Sequence, residues 1–182
     1  YYLEILKSLY LNVNSLILKS KIYKTLFIFL ITIFGYAKAL LPFVENYSKY
    51  NYQGDNQTWN VVQGNDAAMY FANNHYFLRY DGVKWEKYSL PNKTIIRSVF
   101  VEENKIFSGS YKEFGFWERQ NGKMVYTSIS KDKKLFNDNG NEEIWKIFQF
   151  NNAIYFQSFN EIYIYKNGNI KTIHLPFQIS YA

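Results

Sequence analysis

The sequence predicts an all-β protein built from repeated four-stranded antiparallel units, and three observations carry that prediction. Aromatic residues make up 21% of the 182-residue chain, with 18 Tyr, 16 Phe and 4 Trp, and such side chains favour half-buried pleated surfaces. A turn phrase, Tyr80-Asp81-Gly82-Val83-Lys84-Trp85 running on to Leu90-Pro91, returns as Tyr165-Lys166-Asn167-Gly168-Asn169-Ile170 running on to Leu175-Pro176, so that Gly82 and Gly168 stand 86 residues apart. Trp59 and Trp145 share the same 86-residue interval. Two unrelated markers in step indicate an internal repeat, with a third turn, Asn121-Gly122, between them.

In chain order, residues 1–18 form a leader extension of doubtful origin, lacking Met because the only two are Met69 and Met124. Residues 19–39 read as a secretory signal peptide: the basic start Lys19-Ser20-Lys21-Ile22-Tyr23-Lys24, a short apolar run from Thr25 to Gly35, then Ala37 and Ala39 at the positions signal peptidase reads, with cleavage after Ala39. The run of uncharged residues from Thr25 to Ala37 is shorter than the roughly 20 residues of a spanning helix. Most of the +6 net charge lies in this leader, which has five lysines against Glu4. The remainder therefore offers no basic surface for nucleic acid.

Residues 40–58 are a polar, Tyr-rich lead-in with weak strand signal. The first unit, 59–91, is expected to place strands at 59–63, 68–72, 76–80 and 84–90, the last two joined by a two-residue turn at Asp81-Gly82. The second, 96–129, places them at 96–101, 105–108, 114–118 and 123–129, around Asn121-Gly122. Residues 130–143, rich in Lys, Asp and Asn, read as an inserted loop. The third, 144–176, places them at 144–150, 153–157, 162–166 and 169–175, and 177–182 reads as the truncated start of another repeat.

Four-stranded units recurring every ~40–50 residues are the signature of a β-propeller. One such sheet cannot bury both of its faces alone, so units stack and each covers its neighbour. Three blades do not close a ring of the usual ~4–8. The chain is thus expected to be the opening arc of a longer propeller.

Several strings carry a family resemblance: Asn46-Tyr47-Ser48-Lys49, Gly54-Asp55-Asn56-Gln57-Thr58-Trp59, Asp81-Gly82-Val83-Lys84-Trp85, Arg97-Ser98-Val99, Tyr111-Lys112-Glu113-Phe114-Gly115-Phe116-Trp117-Glu118 and Asn141-Glu142-Glu143-Ile144-Trp145. Together they resemble the two-component regulator propellers of the Bacteroidetes type, the triple-tyrosine-motif or LuxR-type sensor-regulators. The resemblance implies a signal peptide, a periplasmic propeller sensor, a triple-tyrosine β-sandwich, an inner-membrane helix, and a helix-turn-helix or histidine-kinase output. The partners it implies are the rest of the propeller and the downstream β-sandwich, with a homodimer a further expected partner; the ligand is expected from fold position, where aromatic and charged groups together suit a small polar molecule such as an oligosaccharide.

No catalytic constellation stands out. Cysteine is absent, which excludes thiolate chemistry. His75 and His174 have no companion ligands at metal spacing, so no metal and no cofactor is expected. Glu102-Glu103 and Glu142-Glu143 are adjacent carboxylates whose side chains diverge in an extended chain, and they read as solvated loops. The oxygen-rich Asn137–Glu142 run reads as a turn, since its spacing is not that of a calcium loop. The four Trp read as blade packing. Fold position alone makes Arg97, in the innermost strand, with Tyr111 and Glu113 beside Gly109 and a break at Gly115, the candidate ligand contacts. A secreted carbohydrate-binding or adhesion propeller without signalling output is the alternative function, and a propeller lyase or glycosidase a more distant one.

Overall fold

A computed structural model describes residues 2–34, 42–137 and 140–179. The chain divides into two compact units, 1–45 and 46–182. In the first, α1 (Tyr2–Phe34) is one continuous helix. It runs through the junction between the doubtful leader and the basic start without interruption. Lys7, Lys19, Lys21 and Lys24 interrupt its apolar sequence, and none of the described helices is long and apolar enough to cross a membrane. The expected cleavage positions Ala37 and Ala39 lie outside the described residues.

The second unit holds three four-stranded antiparallel sheets that do not close into a ring. They are four-stranded blades of an incomplete propeller ring, as the repeat predicted. Blade 1 is β1 (Asn60–Gln63), β2 (Met69–Asn73), β3 (Tyr76–Tyr80) and β4 (Trp85–Tyr88). Blade 2 is β5 (Ile96–Glu102), β6 (Lys105–Ser110), β7 (Glu113–Gln120) and β8 (Lys123–Ser128). Blade 3 is β9 (Lys146–Phe150), β10 (Ala153–Gln157), β11 (Glu161–Lys166) and β12 (Asn169–His174). Each sheet is a meander in sequence order, and β5 packs against both β1 and β9, so the first strand of every blade is the innermost.

Alternating side chains create the two seams between blades. Between blades 1 and 2, Tyr70, Phe77, Val99, Ile106 and Trp117 are buried, with the Phe77 ring 5.2 Å from that of Trp117. Between blades 2 and 3, Phe107, Phe114, Ile147, Ile154, Phe156 and Tyr163 are buried, and Phe114 stacks on Phe156 at 4.3 Å. Burying each such side chain contributes about 1.5–3 kcal/mol. Mutual coverage of blades is therefore the main stabilising term.

Three local expectations are corrected. The lead-in contains a short helix, α2 (Lys49–Tyr52), instead of strand, because the Asn51 side chain accepts the Ser48 backbone N–H at 2.8 Å and starts a helical turn. The turn at Asp81-Gly82 has four residues, since Tyr80 pairs with Trp85. Asp81 Oδ1 there accepts the N–H groups of Val83 and Lys84 at 3.0 and 2.9 Å, an Asx-type closure that competes with the two-residue turn. Asn121-Gly122 and Asn167-Gly168 are two-residue turns with both φ values positive, as read. Finally, Gly115 does not break β7. It sits within that strand because a Cβ would come within 2.3 Å of the Thr127 carbonyl and 2.6 Å of the Tyr126 hydroxyl.

Candidate functional site

The innermost strands bring three residues of the same rung together. Trp59 immediately precedes β1 and donates its backbone N–H to Ala72 O at 2.8 Å, while Trp145 immediately precedes β9 and donates to Gln157 O at 2.9 Å. Each indole is thus fixed at the first rung of its blade. Arg97 occupies that rung in blade 2, where the register shifts between Ile96 and Ser98. A bulge of this kind re-aims a side chain. The Arg97 guanidinium carbon lies 4.1 Å from the Trp59 ring and 4.6 Å from the Trp145 ring, and the two rings meet edge to face at 5.7 Å and 82°. Trp59 Nε1 donates to Asn74 Oδ1 at 2.8 Å, which fixes the plane of that indole.

Glu143 completes the cluster. Arg97 Nε donates to its Oε2 at 3.2 Å and Nη2 to its Oε1 at 3.0 Å, a bidentate fork. The two side chains are only 12% and 17% exposed. Nη1 of Arg97 is buried with no hydrogen-bond partner among the described residues. The inserted loop delivers Glu143 to this point through backbone ties: Lys112 N–H to Glu142 O at 2.8 Å and Ile144 N–H to Ser110 O at 3.0 Å. Ser98 Oγ also donates to Ile144 O at 2.8 Å.

Of the three residues expected from sequence, Arg97 and Tyr111 converge on Glu143, Tyr111 through an isolated antiparallel bridge to its backbone. Glu113 points elsewhere. Its Oε1 accepts the hydroxyls of Tyr126 at 2.7 Å and Ser128 at 2.6 Å, both within blade 2. Burial, reinforced by the Glu113 carboxylate, pushes the Tyr126 phenol well above its ordinary value and keeps it a donor. Glu143 and Glu142 are corrections, since neither is a solvated loop residue. Glu142 is buried, and its Oε1 accepts Asn160 Nδ2 at 3.0 Å. Trp59 and Trp145, assigned to packing from sequence, form the walls of the site, and their shared 86-residue interval was the signal for it.

A second polar region lies at the turn ends of blades 1 and 2, where a cleft of about 530 Å³ is lined by Asp66, Tyr70, Arg79, Glu103, Glu118 and Arg119, among others. Arg79 reaches Asp66 at 2.9 Å, and Asp81 and Glu86 at 3.4 Å each, while Arg119 reaches Glu86 at 3.1 Å. Burial pushes the Asp66 and Glu86 carboxyls up, but hydrogen bonds from Arg79 and Tyr70 to the first, and from Lys84 and Arg119 to the second, outweigh it and leave both lowered. Each histidine meets one carboxylate, His75 with Asp55 at 3.0 Å and His174 with Glu161 at 2.8 Å. Among the described residues no group of three or more His, Cys, Asp or Glu side chains is placed to hold a metal ion.

No protein-family model matches the chain. No curated protein matches it either. Solved structures do. One is the extracellular domain of BT4673 from B. thetaiotaomicron, described as a one-component system, with a TM-score of 0.56 and 14% identity over 75% of this chain and 20% of that chain. Another is the extracellular domain of BT4673 described as a hybrid two-component system, with a TM-score of 0.54 and 14% identity over 74% of this chain and 18% of that one. The chain spans about one-fifth of the length of these structures. At 14% identity the likeness is one of fold.

Proposed function

We propose that this chain is the N-terminal, extracytoplasmic arc of a propeller that senses a small polar ligand of the oligosaccharide class for a membrane-anchored regulator. One observation carries the reading: Trp59, Arg97 and Trp145, from three successive blades, meet at one rung of the innermost strands. A ligand engaging that rung touches three blades at once, and the differential contacts it makes shift their relative packing. Aromatic faces beside fixed polar groups suit a ring that is apolar on its faces and hydroxylated at its edges. The fold likeness to extracellular domains of a regulatory system, and the signal-peptide-like order of residues 19–39, support placement in the periplasm. In this reading the leader is removed after Ala39, the parent protein is held in the inner membrane, and its output is a helix-turn-helix or kinase module. The role of this arc is binding, without catalysis.

The test is titration of the intact protein with a panel of neutral and acidic oligosaccharides, followed by tryptophan emission. A saturable change with one of them, lost in Trp59→Ala, is the expected result. A flat response across the panel sinks the ligand-binding reading. Separately, a coding sequence that continues past Ala182 without a membrane helix or output module turns the assignment to a secreted binding propeller.

A further inference from the structure

We propose that the Trp59–Arg97–Trp145 rung is a carboxylate-binding site and that Glu143 is a tethered occupant which an acidic ligand displaces. This deepens the sensor reading of the same rung and rests on it. Arg97 holds the Glu143 carboxylate in the fork geometry by which a guanidinium takes a free carboxylate, with donors at 3.2 and 3.0 Å. The two indole rings, 4.1 and 4.6 Å from the guanidinium carbon and in edge-to-face contact with each other, shield the pair from water and strengthen its attraction for an anion. Nη1 remains buried and without a partner among the described residues, so Glu143 alone does not use all of the donors that Arg97 brings.

The carboxylate arrives from a distance of 46 residues in sequence, at the end of the 130–143 insertion. The connection from blade 1 to blade 2, residues 89–95, has no such insertion. The insertion is fastened by backbone bonds at its end, Lys112 N–H to Glu142 O and Ile144 N–H to Ser110 O, which do not involve the Glu143 side chain. That side chain can leave Arg97 while the backbone stays in place. The ligand that replaces it carries a carboxylate, on a sugar ring or on another small molecule, with its remaining surface against the indoles.

The experiment compares the intact protein with its Glu143→Gln variant, using glucuronate, acetate and, as the neutral control, glucose, read by tryptophan emission. Glu143→Gln is expected to bind glucuronate with a Kd at least tenfold below that of the unaltered protein, with no saturable response to glucose. Adding Arg97→Met is expected to abolish the response. Acetate binding as tightly as glucuronate would assign the site to carboxylates in general, and weaker acetate binding to sugar acids; both support the proposal. The absence of a saturable response to either acid, in a variant whose far-UV circular dichroism is unchanged, overturns it. A response that survives Arg97→Met overturns it too. If Glu143→Gln does not fold, Glu143→Asp, which shortens the tether by one methylene, is expected to give a smaller gain in glucuronate affinity, and no gain counts against the proposal. Neutral oligosaccharides bound by the unaltered protein, with glucuronate ignored by the variants, would leave the sensor reading standing and remove only the tethered carboxylate.

Discussion

Asn73 illustrates how single side chains hold this arc together. It is fully buried in blade 1, yet its Nδ2 donates to the carbonyls of Asp55 and Gln57 at 2.9 and 3.0 Å, and its Oδ1 accepts the Asp55 N–H at 2.7 Å. Replacement by Ala strands three backbone groups of the lead-in, so Asn73→Ala is expected to lower stability by about 2–3 kcal/mol in urea unfolding. Asn73→Asp turns an acceptor-only group towards the Asp55 and Gln57 carbonyls in a buried site, and is expected to cost at least as much. A second expectation concerns acid. Asp66 and Glu86 have carboxyls held below their ordinary values by Arg79, Tyr70, Lys84 and Arg119. Their contribution is complete above the unfolded values near pH 4 and is lost as the pH falls through the lowered ones. Thermal stability should therefore decline below about pH 4, and Asp66→Asn with Glu86→Gln should flatten that decline while lowering stability at neutral pH. A steeper acid limb in the double variant would show that these carboxyls are not the source. The sequence disclosed little at this scale, because Arg97 and Glu143, or Asn73 and Asp55, meet only after the chain has folded.

At the scale of elements the sequence was far more legible. β3 and β10 have the bounds read from alternation and turns, and most other strands differ by one or two residues at their ends. The turn misread was the one whose side chain intervened: Asp81 caps its own loop, while the Asn at 121 and 167 does not. The lead-in helix was missed because four residues carry no periodic pattern to read. Glycines separate two kinds of constraint. Gly122 and Gly168 have φ of +77° and +79° with open space around them, so Ala at either is expected to cost about 1 kcal/mol, all of it backbone strain. Gly109 is different. A Cβ there comes within 2.5 Å of both Ile144 Cγ2 and Ser98 Oγ, where the insertion returns to blade 2. Gly109→Ala is expected to cost about 2–3 kcal/mol in urea unfolding and to disturb the Arg97 rung beside it. Equal losses for Gly109→Ala and Gly122→Ala would mean that the close approach at Gly109 relaxes freely.

For the second unit as a whole, the decisive quantity is the number of blade faces left uncovered. Blade 2 is covered on both sides and blades 1 and 3 on one side each. The outward face of blade 1 is partly shielded by the lead-in, since Tyr47 and Tyr52 pack on Trp85 at 5.4 Å each, though Val61 stays 51% exposed. Blade 3 presents Phe148 stacked on Tyr155 at 5.0 Å, with Phe150 60% exposed beside them. An aromatic face of this kind on a four-stranded sheet invites another sheet. Residues 40–182 expressed alone are accordingly expected to be poorly stable, to bind an apolar dye such as ANS, and to associate as concentration rises. Phe150→Lys, which removes apolar area and adds charge without touching either seam, should reduce dye binding and shift sedimentation towards the monomer. Its effect on the unfolding midpoint should stay within about 0.5 kcal/mol, because surface substitutions away from packed contacts rarely do more. A soluble monomer of residues 40–182 with one cooperative thermal transition and no dye binding would refute this, and would mean that two seams suffice for three blades to fold as a finished unit.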